Sequence, residues 1–346
     1  GNPNIGSVVL NQFTQSEAFN EFVSSFRSGD RIFIISSIFG GTGASGFPLL
    51  LKNLRSIDSA LPNAGNIKDA SIGAITVLPY FNLAQSQDGL DNIDCSTFIS
   101  KSKAALEYYA KNLSGNNSLN AFYYLADNIY DMYAYSEGGV TQKNKAHVIE
   151  MLAALAIVDF CQISDERLQS SRGKALTPIY KEFGMKSDDE NMIFSSFYDE
   201  TRNSIQRPMT EFTLFCKFLN EHLSISKSLK WTKGKRPFDD NFFNGSFFNS
   251  HIEKIKEYYL QWLDEMSSNH RGFSPFHLEE MRKDVFGLVK GVKPGKVINY
   301  RSNYDLFDYY LCDIEPGISN NLSVEERFIE LFYRTVNKLV TDKKIA

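Results

Sequence analysis

Residues 31–39 read RIFIISSIF, residues 40–46 read GGTGASG and residues 47–54 read FPLLLKNL. The first stretch is a short apolar run rich in Ile and Phe, too short for a core helix and typical of a strand buried on both faces of a parallel sheet. The glycines predict a turn, and the third stretch resumes helical character, with Pro48 placed where a first-turn proline is tolerated. A strand, glycine turn and helix in that order leave backbone N–H groups unpaired at the helix start, where the helix dipole favours an anion. Phosphate is the natural guest. The glycines permit close backbone approach, and the hydroxyls of Thr42 and Ser45 add donors. The phosphate-binding candidates are therefore Gly40, Gly41, Thr42, Gly43, Ala44 and Ser45. The same glycines could also serve packing alone. The turn lacks the lysine of GxxxxGK[ST] and the spacing of GxGxxG, so neither the P-loop nor the Rossmann fingerprint applies.

Outward from this stretch the strand–helix alternation continues. Residues 16–28 place Phe19, Phe22, Val23 and Phe26 at helical spacing behind Ser16 as N-cap. Residues 70–79 (ASIGAITVLP) predict a second buried strand, 97–112 a helix, 120–125 (NAFYYL) a third strand, and 142–161 a long helix. Strands alternating with helices imply an α/β fold with a parallel sheet and right-handed crossovers. Beyond residue 165 the patterns turn mainly helical, at 209–222, 250–266, 276–290 and 324–341, with a hint of a strand at 297–300. The expected domains are 1–165, an α/β nucleotide-binding unit, and 166–346, a helix-rich unit.

The chain has 346 residues, 42% apolar and 23% charged, with a formal net charge of −4. No run approaches the roughly 18 apolar residues of a membrane span. The acidic balance argues against nucleic acid as a main partner. One local run, residues 227–236 (KSLKWTKGKR), gathers five basic residues around Trp231 and could meet phosphates, an acidic partner or only solvent. Cys95, Cys161, Cys216 and Cys312 stand far apart without a CxxC pair, and the histidines form no metal-ligand cluster. They read as reduced, mostly buried thiols. No signal-peptide pattern is present, which favours the cytoplasm.

GGTGAS after a buried strand resembles the GGGTGSG phosphate signature of the tubulin/FtsZ family, and the surrounding segments are collinear with it. Asn2-Pro3-Asn4-Ile5-Gly6 resembles the family's NPxxG segment. TVLPYF (76–81) resembles the next strand with its Pro-Phe end, and residues 104–128 resemble the following helix and strand, ending in the Asp127-Asn128 pair. The resemblance covers roughly the first half of the chain. It implies a tubulin/FtsZ-like nucleotide-binding domain, GTP or GDP with Mg²⁺ as cofactors, and self-association into filaments or oligomers. It also implies nucleotide contacts from Asn2, Asn128, Glu137 and Asn144, the last lying where the family places an Asn that hydrogen-bonds guanine. Phe39 and Ser45 stand where the family signature begins and ends in glycine. The chain opens with Gly1 before Asn2-Pro3, in the manner of a tag remnant, so the family's first strand and first glycine loop are expected upstream and the domain is read as truncated at its N-terminus.

The family's NxDxxD catalytic motif is absent. Asp159, Asp165 and Glu166 lie in the corresponding region at the wrong spacing and are expected to be helix-end and surface charges. The reading is thus a divergent GTP-binding protein with weak or partner-dependent hydrolysis. The alternatives are an assembly module on the same scaffold that has lost its nucleotide, and an unrelated α/β enzyme for another phosphate compound.

Overall fold

The computed structural model describes residues 11–84, 96–113, 118–134, 140, 144–168, 178–181, 185–186, 189–278, 284–297 and 303–346. The chain divides into two compact units, Gly1–Phe183 and Gly184–Ala346. The boundary expected near residue 165 and this division lie on either side of the strand Ile179–Lys181.

The first unit contains α1 (Glu17–Ser25), β1 (Ile32–Ser37), α2 (Gly41–Arg55), α3 (Ala64–Asp69), β2 (Ile72–Val77), β3 (Phe81–Leu83), α4 (Ser96–Asn112), β4 (Ala121–Leu125), β5 (Asp131–Tyr133), α5 (Val148–Gln162), α6 (Asp165–Leu168) and β6 (Ile179–Lys181). Its main sheet has the order β1-β2-β4-β6, and every pair is parallel. Ser37 lies opposite Val77, and Val77 opposite Leu125, so the carboxyl ends of three strands finish level. β3 and β5 form a second, short parallel pair just beyond those ends. The expected α/β class with a parallel sheet is what the chain adopts.

Alternation along β1 sorts the two faces of the sheet. Ile34 faces a core shared with Phe19, Phe47, Leu51, Leu54, Ile67, Tyr109 and Phe122, which packs α1, α2, α3 and α4 on one side. Phe33 points the other way, with its ring centroid 5.4 Å from that of Phe160 of α5. A Cβ on Gly73 of β2 would stand 2.8 Å from both of those rings, so glycine is what lets α5 lie down on the sheet. Arg55, at the end of α2, closes the opposite end of the unit. Its guanidinium donates to the carbonyls of Ser118, Lys68 and Ala70 and to Asn120 Oδ1. Burial lowers its pKa to about 10, which still leaves it a cation at neutral pH.

The second unit contains β7 (Asn191–Met192), α7 (Asp199–Glu221), α8 (Leu223–Ser226), α9 (Asp240–Asn244), α10 (Glu253–Ser267), β8 (Gly272–Phe273), α11 (Tyr304–Ile314) and α12 (Val324–Lys343). A π-helical turn, Phe247–Ile252, leads into α10. Its core is aromatic: Phe218 stacks on Phe307 at 4.2 Å, and Phe328 and Phe332 of α12 join the same cluster. Of the basic run 227–236, Trp231 belongs to this core, while Lys230, Lys233, Lys235 and Arg236 are exposed. Trp231 is 1% exposed and its indole N–H donates to Ser226 Oγ, Lys227 lies 4.0 Å above the Phe243 ring, and Arg236 donates to the Leu322 carbonyl.

Two expected elements differ. The helix expected over 276–290 is absent from the described part of that range. Phe276 instead pairs antiparallel with Val289, and only Val285–Leu288 make a 3₁₀ turn. The apolar spacing that suggested a helix comes from these two edges meeting. Val297 carries no strand, and residues 298–300 lie outside the described residues.

Candidate functional site

The chain leaves β1 at Ser37, crosses Ile38 and Phe39, and enters α2 at Gly41 with Gly40 as N-cap. The glycines expected to form a turn are thus already helical, and Gly40 alone stays extended, at φ −118° and ψ 167°. The cause is packing. An added Cβ at Gly43 would lie 1.8 Å from the carbonyl oxygen of Ser37, so only glycine lets the first turn of α2 seat directly against the strand end. Tertiary contact overrides the low helix propensity of glycine here.

The first main-chain helical bond runs from the N–H of Ala44 to Gly40 O at 3.1 Å, and no side chain caps this terminus. The N–H groups of Gly41, Thr42 and Gly43 thus sit in the orphan positions of a helix start, on a 15-residue helix whose dipole adds positive potential. Thr42 is exposed. The Ser45 hydroxyl corrects the sequence expectation, because it donates inward to the Gly41 carbonyl at 2.5 Å and is not offered to a ligand. Pro48 is also displaced from the expected first turn and lies two turns inside α2.

The terminus opens on a cleft of about 510 Å³ between α2 and α4, lined by Phe39, Gly40, Gly41, Ala44, Ser45, Pro48, Lys52, Lys101 and Tyr108 among others. Among the described residues no carboxylate lines it. Neither Lys52 nor Lys101 has a carboxylate partner among the described residues, although the chain as a whole is acidic. These two lysines escaped the sequence reading. The signal that could have found them is their place, one at the far end of the glycine helix and one on the first turns of the next.

Phe39 separates this cleft from a second one of about 510 Å³ on the α5 side, lined by Ser37, Val77, Tyr80, Glu150, Ala153 and Ile157. Its ring centroid lies 5.7 Å from that of Tyr80 and 5.3 Å from that of Phe81. The Tyr80 hydroxyl donates to Glu150 Oε1 at 2.9 Å, and burial with the nearby carboxylate pushes its pKa well above the ordinary phenol value. This side presents a carboxylate and apolar walls, which suit an anion poorly.

Asn128 follows β4, at the same level of the sheet as the glycine terminus, and is exposed. Asn144 does not open α5 as expected. The helix begins at Val148, with His147 as its N-cap, and His147 Nδ1 accepts the N–H of Ile149 at 3.2 Å. No hydrogen bond among the described residues joins Asn128 or Asn144 to the glycine terminus. Asn2 and Glu137 lie outside the described residues.

Of the three carboxylates expected at the end of α5, Asp159 and Asp165 have structural partners and Glu166 is an exposed surface charge. Asp159 takes both oxygens to Lys181 Nζ, at 2.7 and 2.8 Å, and accepts the Tyr123 hydroxyl at 2.6 Å. Asp165 pairs with Arg31 at 2.6 Å, while Arg31 also binds the carbonyls of Phe160 and Cys161 at the end of α5. Asp159 has both oxygens engaged, whereas Asp165 pairs through one oxygen and stays exposed.

Neither a protein-family model, nor a curated protein, nor a solved structure matches this chain. The site is therefore read from its own geometry. Among the described residues no group of three or more His, Cys, Asp or Glu side chains could hold a metal ion, and no helix is long and apolar enough to cross a membrane.

Proposed function

We propose that the first unit binds a guanine nucleotide through its phosphates at the Gly40–Ser45 start of α2, as a divergent relative of the tubulin/FtsZ family. The observation that carries this reading is an uncapped helix terminus following a parallel strand and opening on a cleft whose charged side chains, Lys52 and Lys101, are both cationic. Backbone N–H groups and ammonium groups are the donors a polyphosphate takes. Mg²⁺ is a poor fit to the described donors there, because none of the described lining residues is a carboxylate. Binding rather than turnover is the supported activity, since Asp159 and Asp165 are held in ion pairs.

The test is calorimetric titration of GTP, GDP, ATP and inorganic tripolyphosphate into the wild-type chain and Gly40→Asp. A Cβ at Gly40 meets nothing within 4 Å and the backbone is extended, so Asp is sterically accommodated and its carboxylate can occupy the N–H groups itself. The reading expects GTP to bind the wild type and not the variant. It is overturned if no phosphate compound binds, or if the variant binds as well as the wild type; ATP binding best would replace guanine with adenine.

A second reading, an assembly module without nucleotide, is favoured by the same locked carboxylates and by α5. That helix carries only Glu150, Asp159 and Gln162 as polar residues, yet Ala154 and Val158 are exposed. An all-round apolar helix ordinarily has partners on more than one side. Sedimentation that shows self-association indifferent to GTP would select this reading.

A further inference from the structure

We propose that the second unit holds a pocket of its own for a small apolar amino acid, bound as the zwitterion. The pocket measures about 540 Å³, within the range of small-molecule sites, and is formed by one face of α7, one face of α10 and the extended segment after β8. Leu260, Leu263, Phe273 and Phe276 give it apolar walls.

Its charges decide the ligand. Four formally charged side chains line it: Lys217, Glu221, Asp264 and Lys290. Lys217 and Glu221 cancel, because they pair at 2.5 Å and the second Glu221 oxygen accepts the Tyr304 hydroxyl. Lys290 is different. Its ammonium donates to Ser274 Oγ at 2.6 Å and meets no carboxylate among the described residues. The Asp264 carboxylate likewise has no cation and no hydrogen-bond donor among the described residues. One ammonium and one carboxylate, neither with a charged partner among the described residues, share a cavity. Apart from the Lys217–Glu221 pair, its other lining residues are the apolar Leu260, Leu263, Phe273, Pro275, Phe276 and Leu278 and the neutral polar Asn220, Ser267, Ser274 and His277. A ligand that answers all three features carries a carboxylate for Lys290 and the Ser274 hydroxyl, an ammonium for Asp264, and a hydrocarbon body for Phe273 and Phe276. Charged partners in such a setting supply orientation as well as affinity. The pocket is independent of the glycine terminus in the first unit.

The experiment is calorimetric titration of the full chain with L-phenylalanine and L-leucine, and with two analogues that each lack one charge, phenethylamine and 3-phenylpropanoate. At least one amino acid binds, and each analogue binds about tenfold or more weakly than L-phenylalanine, the loss of one charge-assisted contact. Asp264→Asn weakens the amino acid by a similar factor and leaves 3-phenylpropanoate unchanged. Lys290→Met weakens the amino acid and leaves phenethylamine unchanged. Both side chains reach solvent, and thermal melts of the two variants confirm that they are folded. The proposal is overturned if neither amino acid binds, if an analogue with a single charge binds as tightly as L-phenylalanine, or if both variants bind the amino acid like the wild type.

Discussion

The Tyr109 hydroxyl donates to the Ala44 carbonyl at 2.8 Å. That carbonyl would ordinarily accept the N–H of residue 48, which is proline and has none. A side chain from α4 thus supplies the donor that α2 lacks, directly below the candidate phosphate terminus. The hydroxyl is held protonated, since burial raises its pKa far above the usual phenol value.

Tyr109→Phe is expected to destabilise the chain by about 1 kcal/mol, the net value of one hydrogen bond, plus a cost for leaving a buried acceptor unpaired. In a Pro48→Ala background the N–H returns and the same substitution costs less. A double-mutant cycle by urea denaturation reads the coupling, and additive effects would show that the hydroxyl does not serve this carbonyl.

Gly43→Ala and Gly40→Asp, three residues apart, are expected to act with opposite signs. The added methyl at 43 collides with Ser37 O and costs about 1–3 kcal/mol, the usual range for overpacking. Asp at 40 caps the helix and raises stability by a few tenths of a kcal/mol. Denaturant midpoints measured at equal m-value distinguish the two, and equal losses would refute the close approach.

The parallel sheet was legible because buried strands are written as apolar runs, as ASIGAITVLP is for β2. RIFIISSIF reads the same way, yet β1 is an edge strand of the described sheet with Ile35 exposed, so the expected burial on both faces holds for β2 and not for β1. The start of α2 inside the glycine run was not, since glycine is a poor helix former and its reason here, the Ser37 carbonyl, is a contact that only folding creates. Nor was the start of α5, because histidine is an unusual N-cap and His147 left no signal distinguishing it from Asn144. Of the site, the backbone donors were foreseeable from the turn. Lys52 and Lys101 were not, because their relation to it depends on how α2 and α4 pack.

Cysteine reactivity gives a separate check on burial. Among the described residues Cys161 is exposed, Cys312 is half-buried and Cys216 is buried, which departs from the expectation that most thiols are inside. Burial pushes the Cys216 thiol up to about 12. Alkylation at pH 8 followed by peptide mapping should modify Cys161 rapidly and Cys216 only in denaturant. The raised value also sets a sign: the contribution of Cys216 to stability is intact below the ordinary thiol range near 9 and is lost as pH climbs towards 12. Cys216→Ala should flatten that part of the stability profile.

In the second unit, Arg327 is 2% exposed and pairs with Glu315 at 2.7 Å, while it also donates to the carbonyls of Ile318 and Ser319. Glu315→Gln removes one charge of a buried pair and should cost about 3–5 kcal/mol. Replacing both partners with apolar residues, Glu315→Met with Arg327→Met, should cost less than that single change. Thermal unfolding of the three chains measures the difference, and a worse double variant would contradict it.

The seating of Gly43 on Ser37 also bears on motion. With no side chain between them, the first turn of α2 and the last residue of β1 form one stiff joint, and β1 is in turn paired in register with β2 from residue 32 to residue 37. An anion taken up at the helix mouth therefore cannot be accommodated by a hinge. Its arrival should appear as slower hydrogen exchange of the amides in the adjoining strands, several residues from any atom it touches.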